Sequence, residues 1–149
     1  MYCNSIATNS TNEIVFSYSN DTTVYHTKIS STDGSELWNI NFPAHVPTVN
    51  KVIIDSENNS YLMISSNGVE STSGDGRNSV AKYDNTGNRV WLTDQLPAAG
   101  KYLSSYDASF TENGDFIVVG ETDSDLGESV LGGNLDGFLM SYTQDGVLK

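Results

Sequence analysis

One pattern occurs three times in the chain, and it limits the fold more than any other feature. An apolar strand runs into a polar turn that ends in glycine, and a second strand follows. The first copy spans His26 to Trp38, with Lys28, Asp33 and Gly34 at its centre. The second spans Val80 to Trp91, with Lys82, Asp84 and Gly87. The third spans Leu139 to Lys149, with Ser141 where the others have lysine, and Gly146 at the turn. The turn glycines lie 53 and 59 positions apart (87 − 34 and 146 − 87). Trp38 and Trp91 each stand four residues after their glycine. A fixed period of this length marks an array of similar supersecondary units, each too small to bury its own apolar faces.

A second hairpin precedes each of these. Ile6-Ala7 leads through 8–12 into Ile14-Val15-Phe16. Val52-Ile53-Ile54 leads through 55–59 into Tyr61-Leu62-Met63-Ile64, and Tyr106 to Phe110 leads through 112–114 into Phe116-Ile117-Val118-Val119. Asn113-Gly114 between apolar runs is a hairpin signal, since both residue types tolerate positive φ. Asp33-Gly34 and Asp145-Gly146 carry the same chemistry. Each copy therefore predicts four antiparallel strands in a meander, with tight first and third turns. The middle connection is short in copy one, 19–22, and long in copies two and three, 66–78 and 122–136. Length variation at one place in a repeat maps to one face of the array.

The expected fold is all-β: one domain, 1–149, of three four-stranded antiparallel repeats of β-propeller-blade type. The repeats fall at about 5–46, 47–100 and 101–149, the last incomplete. Radial stacking of similar sheets buries their faces without a second kind of layer. Composition agrees: eight Tyr, two Trp and only 17% charged residues suit strands better than helix surfaces. Trp38 and Trp91, in equivalent positions, read as packing residues between adjacent repeats.

The run 82–91, Lys-Tyr-Asp-Asn-Thr-Gly-Asn-Arg-Val-Trp, resembles bacterial β-propeller repeats of the SBBP type, as does 136–146 more loosely. Thr32 to Trp38 resembles the turn and Trp of quinoprotein (PQQ-like) blades. The likeness covers almost the whole chain and implies a propeller fold, with an extracellular or cell-surface setting. It implies no activity, because propellers host many. Copy one departs by an extra residue between Lys28 and Gly34, and copy three by Ser141. Three such repeats leave two sheet flanks uncovered, which predicts self-association or further repeats from a longer parent chain.

The net charge of −12, from seven basic and nineteen acidic residues, excludes the clustered lysines and arginines that nucleic acid requires. No apolar run approaches the length of a membrane-spanning helix, so no membrane insertion is expected. Met1 to Ser10 lacks the pattern of a signal peptide. The single cysteine, Cys3, forms no internal disulfide, and reads as a strand residue. His26 and His45 are the only histidines and make no zinc pattern.

The acidic stretch 121–128 is the one candidate metal loop. Asp123 and Asp125 alternate as calcium-loop carboxylates do, and Glu128 could fold back onto them. The EF-hand spacing fails, and a solvated polar loop is the simpler reading. No catalytic or cofactor-binding set stands out, so no cofactor other than calcium is expected. The leading expectation is a non-enzymatic binding or scaffold module for a protein or glycan, using the face with the long connections. The alternatives are part of a propeller enzyme whose site other blades complete, and a calcium-dependent, lectin-like glycan binder.

Overall fold

The computed structural model describes residues 2–44, 47–66, 77–98, 101–126 and 135–149. The side chains of residues 2–4 are not part of that description. It is all-β, with three antiparallel sheets in chain order. The first holds β1 (Tyr2–Thr8), β2 (Ile14–Ser19), β3 (Thr23–Ile29) and β4 (Glu36–Pro43). The second holds β5 (Thr48–Ile54), β6 (Ser60–Ser66), β7 (Arg77–Tyr83) and β8 (Arg89–Gln95). The third holds β9 (Leu103–Phe110), β10 (Phe116–Thr122) and β11 (Asp136–Tyr142). Every sheet is a meander in which sequence neighbours pair.

The third sheet has three full strands. Its fourth is represented by a bridge between Tyr142 and Leu148 and by the bond from Lys149 N to Ser141 O, 2.8 Å. Leu148 stands two residues after Gly146, as Glu36 and Arg89 stand two after Gly34 and Gly87, where β4 and β8 begin.

The tight turns share one construction. At residues 9–13, 55–59, 84–88, 111–115 and 143–147, the first N–H donates to the fifth carbonyl, and the fourth N–H to the first carbonyl. The fourth residue carries positive φ: Asn12, Asn58, Gly87, Gly114 and Gly146. Only Gly114, not Asn113, has positive φ in its turn. The pair expected to share the left-handed conformation thus sits in a three-residue loop with one left-handed position. The first side chain closes each turn: Asn9, Asp55 and Asp84 accept from backbone N–H groups two and four residues on, and Thr111 and Thr143 from Asp115 N and Val147 N, four residues on. Burial tends to raise the Asp84 carboxyl, but hydrogen bonds from Thr86 and Asn88 hold it down at about 2. The extra residue of copy one is absorbed in its turn, where Gly34 N reaches back four residues to Ser30 O.

The sheets stack in order. Strand β5 packs against β1 and β2, and β9 packs against β5, β6 and β7. The middle sheet is therefore covered on both faces, and Tyr61, Leu62, Met63 and Ile64 are all buried. Leu62, Ile64, Ala81 and Tyr83 meet Val15, Val24 and Phe42 of the first sheet. Tyr61, Met63 and Val80 point the other way and meet Phe116, Val118, Met140 and Tyr142 of the third. Period-two alternation puts successive residues on opposite faces, so a continuous apolar run serves two cores.

Each first strand carries a bulge at the same register. Pairing skips Asn4 between Cys3 and Ser5, Asn50 between Val49 and Lys51, and Tyr106 between Ser105 and Asp107. Cys3 lies within β1. A bulge re-aims one side chain without breaking the ladder. Asn50 uses this to donate from Nδ2 to Ser65 Oγ and to Ser105 O of the next sheet, both at 2.6 Å.

Candidate binding surfaces

The tryptophans tie neighbouring sheets together. Trp38 Nε1 donates to Asn85 O at 3.2 Å, and Trp91 Nε1 to Gln144 O at 2.9 Å. Both acceptors lie two residues before a turn glycine of the next sheet. A Cβ at Gly87 would lie 3.1 Å from the Trp38 ring, and one at Gly146 would lie 2.6 Å from the Trp91 ring. At Gly34 a Cβ would meet nothing within 4 Å. Lys28 adds a second tie: its buried ammonium lies 2.5 Å from Glu13 Oε2 and donates to Asn85 Oδ1 at 2.6 Å. The Lys28–Glu13 contact is the main cause holding the Glu13 carboxyl below its usual range. Lys82, the equivalent residue, lies 3.7 Å from Asp55 Oδ2 and 5.1 Å above the Tyr61 ring.

A serine–histidine–serine chain crosses the first junction. His26 Nδ1 lies 2.6 Å from Ser17 Oγ, and its Nε2 lies 2.8 Å from Ser60 Oγ. Hydrogen-bonded Ser–His geometry of this kind can serve nucleophilic catalysis only where substrate reaches the hydroxyl. Here all three residues are sealed between sheets, under Trp38 and Tyr83. Burial lowers the His26 pKa to about 3, so the ring is neutral. His45 lies outside the described residues.

The long connections leave the second and third sheets at one rim, opposite the five tight turns. They run from Ser66 to Arg77 and from Thr122 to Asp136. Their inner parts, 67–76 and 127–134, lie outside the described residues. The base of the rim is pinned. Asp123 Oδ1 accepts from Tyr102 N at 2.5 Å, and Thr122 Oγ1 donates to Tyr102 O at 2.6 Å. Ala98 N donates to the buried Ser124 Oγ at 2.8 Å. Asn78 Oδ1 accepts from Ser65 Oγ, while Asp94 bonds Ser79 and Arg77. Above this base, Leu96, Tyr102, Asp125 and Leu135 are exposed.

The candidate calcium residues divide accordingly. Asp123 spends its carboxylate on Tyr102 N and lies 3.9 Å from Lys101 Nζ. Asp125 is exposed at the rim, and Glu128 lies outside the described residues. Among the described residues no three His, Cys, Asp or Glu side chains converge as a metal set. At the opposite end, a cleft of about 280 Å³ opens between the second and third sheets, lined by Asp55, Glu57, Tyr61, Phe110, Glu112 and Gln144.

The two outer faces of the stack form the remaining surface. On the first sheet, Phe16, Tyr18 and Tyr25 stack in a row, with centroids 6.0 and 4.7 Å apart. On the third sheet, Val119 and Leu139 pair across β10 and β11, both exposed, with Tyr106 at the adjacent bulge. The sequence signals the aromatic row only as an alternation in β2, and it gives no signal for the bulges. No protein-family model matches this chain, and no curated protein matches it.

Proposed function

We propose that this protein is a non-enzymatic binding and scaffold module of β-propeller type, acting outside the cell or at its surface, that holds a protein or glycan at the rim of its long connections. The propeller reading is supported by three meanders that stack in sequence through their first strands, with a tryptophan tying each sheet to the next turn. The observation that carries the binding reading is the rim itself. Two long segments leave neighbouring sheets at one edge, over a hydrogen-bonded base that exposes Tyr102, Leu96, Leu135 and Asp125. A rigid base under variable loops is how scaffolds present recognition residues. An exposed Tyr beside carboxylates offers a flat apolar face and polar groups to a sugar or peptide.

The test replaces 67–76 and 127–134 with Gly-Ser linkers and, separately, makes Tyr102→Ala. Binding is read on panels of immobilised glycans and displayed peptides, with thermal melting as the folding control. Loss of binding at unchanged melting supports the reading, and unchanged binding overturns it. The calcium-dependent version of the reading rests on Asp123 and Asp125 at the same rim. It requires glycan binding that chelator abolishes and calcium restores.

A further inference from the structure

The two outer faces of the stack are the two halves of a junction that the chain already makes twice. The register shows this position by position. Val15 pairs with Lys28, Tyr61 with Lys82, and Ile117 with Ser141, so these positions correspond. In the same frame Ser17, Met63 and Val119 correspond, as do His26, Val80 and Leu139. This face of the first sheet packs on the second, and this face of the second packs on the third. In the third sheet it meets nothing among the described residues. Met63 and Val80 are 0% and 1% exposed, whereas Val119 and Leu139 are 39% and 65% exposed.

The opposite face obeys the same rule in reverse. Leu62, Ile64 and Ala81 of the middle sheet are completely buried under the first sheet. Their counterparts in the first sheet are Phe16, Tyr18 and Thr27. Phe16 and Tyr18 are only half-buried and Ile6, paired with Phe16, is 65% exposed, while Thr27 is buried at 4%. Phe16, Tyr18, Tyr25, Thr27, Asn39 and Asn41 of this face carry no charge, on a chain whose net charge is −12, with the Glu36 carboxylate bonded to Asn39 at its edge. Gly34 supplies an independent sign. Its neighbours in the array, Gly87 and Gly146, each lie under a tryptophan of the preceding sheet, and Gly34 alone of the three is open. Among the described residues no sheet packs on this side of the first sheet or on the far side of the third.

We infer that two copies of this chain associate head to tail, the Val119–Leu139 face of one copy packing on the Phe16–Tyr18–Tyr25 face of the other. The contact continues the packing of sheet faces seen twice within the chain, in the same polarity, but without the tryptophan tie, since the chain's two tryptophans, Trp38 and Trp91, lie in the first and second sheets. It is heterologous: the two patches differ, and each copy carries one of each. The junction is apolar at its centre, with Asp107, paired with Val119, and Glu121 at its edge. Val119 and Leu139 stand where the second junction has Met63 and Val80, whereas the first junction has Ser17 and His26 at those positions. Both partners carry the same negative charge, so salt should strengthen the association by screening their repulsion.

The experiment is sedimentation velocity on the full chain over a wide concentration range, with two variants. Tyr18→Asp blocks the first-sheet face, and Leu139→Asp blocks the third-sheet face. Each variant alone should lose self-association by about thirtyfold or more. Mixed, they should recover a one-to-one dimer, because the Leu139→Asp copy keeps the face that receives and the Tyr18→Asp copy keeps the face that inserts. Ile6→Asp, at an exposed position, replaces Tyr18→Asp if that variant melts early. The inference is overturned by a wild-type chain that stays monomeric throughout. It is also overturned by variants that associate like wild type, or by a mixture that stays monomeric. None of these readouts involves the rim, so failure here and failure of the rim-binding reading are separate results.

Discussion

The ring of Trp38 lies against Gly87, 3.1 Å from where a Cβ would project, and donates its indole N–H to the carbonyl of Asn85. Trp91 repeats the contact one sheet on, over Gly146 and the carbonyl of Gln144. The glycine of each such turn thus answers two demands, left-handed backbone and a flat seat for indole.

Substitution separates the two demands. Gly34→Ala meets only the backbone penalty, since its φ is +72° and nothing stands nearby, and should cost about 1–2 kcal/mol. Gly87→Ala and Gly146→Ala add the displacement of a tryptophan, for a total of about 2–5 kcal/mol. Urea denaturation should rank Gly34→Ala as the mildest. Equal losses at all three would mean that the indole contacts carry no stability.

Asn12 and Asn58 occupy the same left-handed position with φ of 61° and 65°. Asn58 Oδ1 accepts from Ser10 N and Oγ across the first junction, so its side chain is used. Asn12→Gly should therefore stabilise by about 0.5–1 kcal/mol, through relief of left-handed strain, while Asn58→Gly should not. Thermal melts of the two variants make the comparison.

Lys28 is buried among Glu13 and Asn85. Removing one partner of a buried pair leaves the other charge uncompensated. Lys28→Ala should cost on the order of 3 kcal/mol, whereas Lys101→Ala, at an exposed ion pair, should cost less than about 1 kcal/mol. Chemical denaturation at two salt concentrations tests both, with the Lys28 loss insensitive to salt.

His26 gives the fold an acid sensitivity. Its folded pKa of about 3 lies below the ordinary 6.5, so the unfolded chain binds the extra proton. Stability from the neutral ring is complete above pH 6.5 and is lost as pH falls toward 3. The slope is about 1.4 kcal/mol per pH unit within that window. Glu13 and Asp84, whose folded pKa values are depressed, keep their full contribution above their ordinary values of 4.5 and 3.8 and lose it only below them. The range from pH 6.5 to 4.5 therefore isolates the histidine. Denaturation midpoints should fall with pH there in the native chain and stay level in His26→Gln. A native chain with no slope would show that the ring is reached by solvent.

The amino-acid sequence by itself determined the periodicity, the all-β class and the turn positions. Those features are local: alternation in β2, β6 and β10, and Asp, Asn, Thr or Gly at fixed turn places, act within a few residues. It also marked where the connections lengthen, between Ser66 and Arg77 and between Thr122 and Asp136. Only the tertiary structure decided what each face meets. Met63 and Val119 hold the same register position and are both apolar, yet one is sealed and the other exposed, because among the described residues only the middle sheet has neighbours on both sides. The pinning of Asp123 by Tyr102, the sealing of His26 between two serines and the Trp38–Gly87 seat follow the same logic. The contacts between sheets and across the rim join residues as far as 49 positions apart (Trp38 to Gly87), with His26 and Ser60 34 apart and Tyr102 and Asp123 21 apart, and no local pattern encodes them.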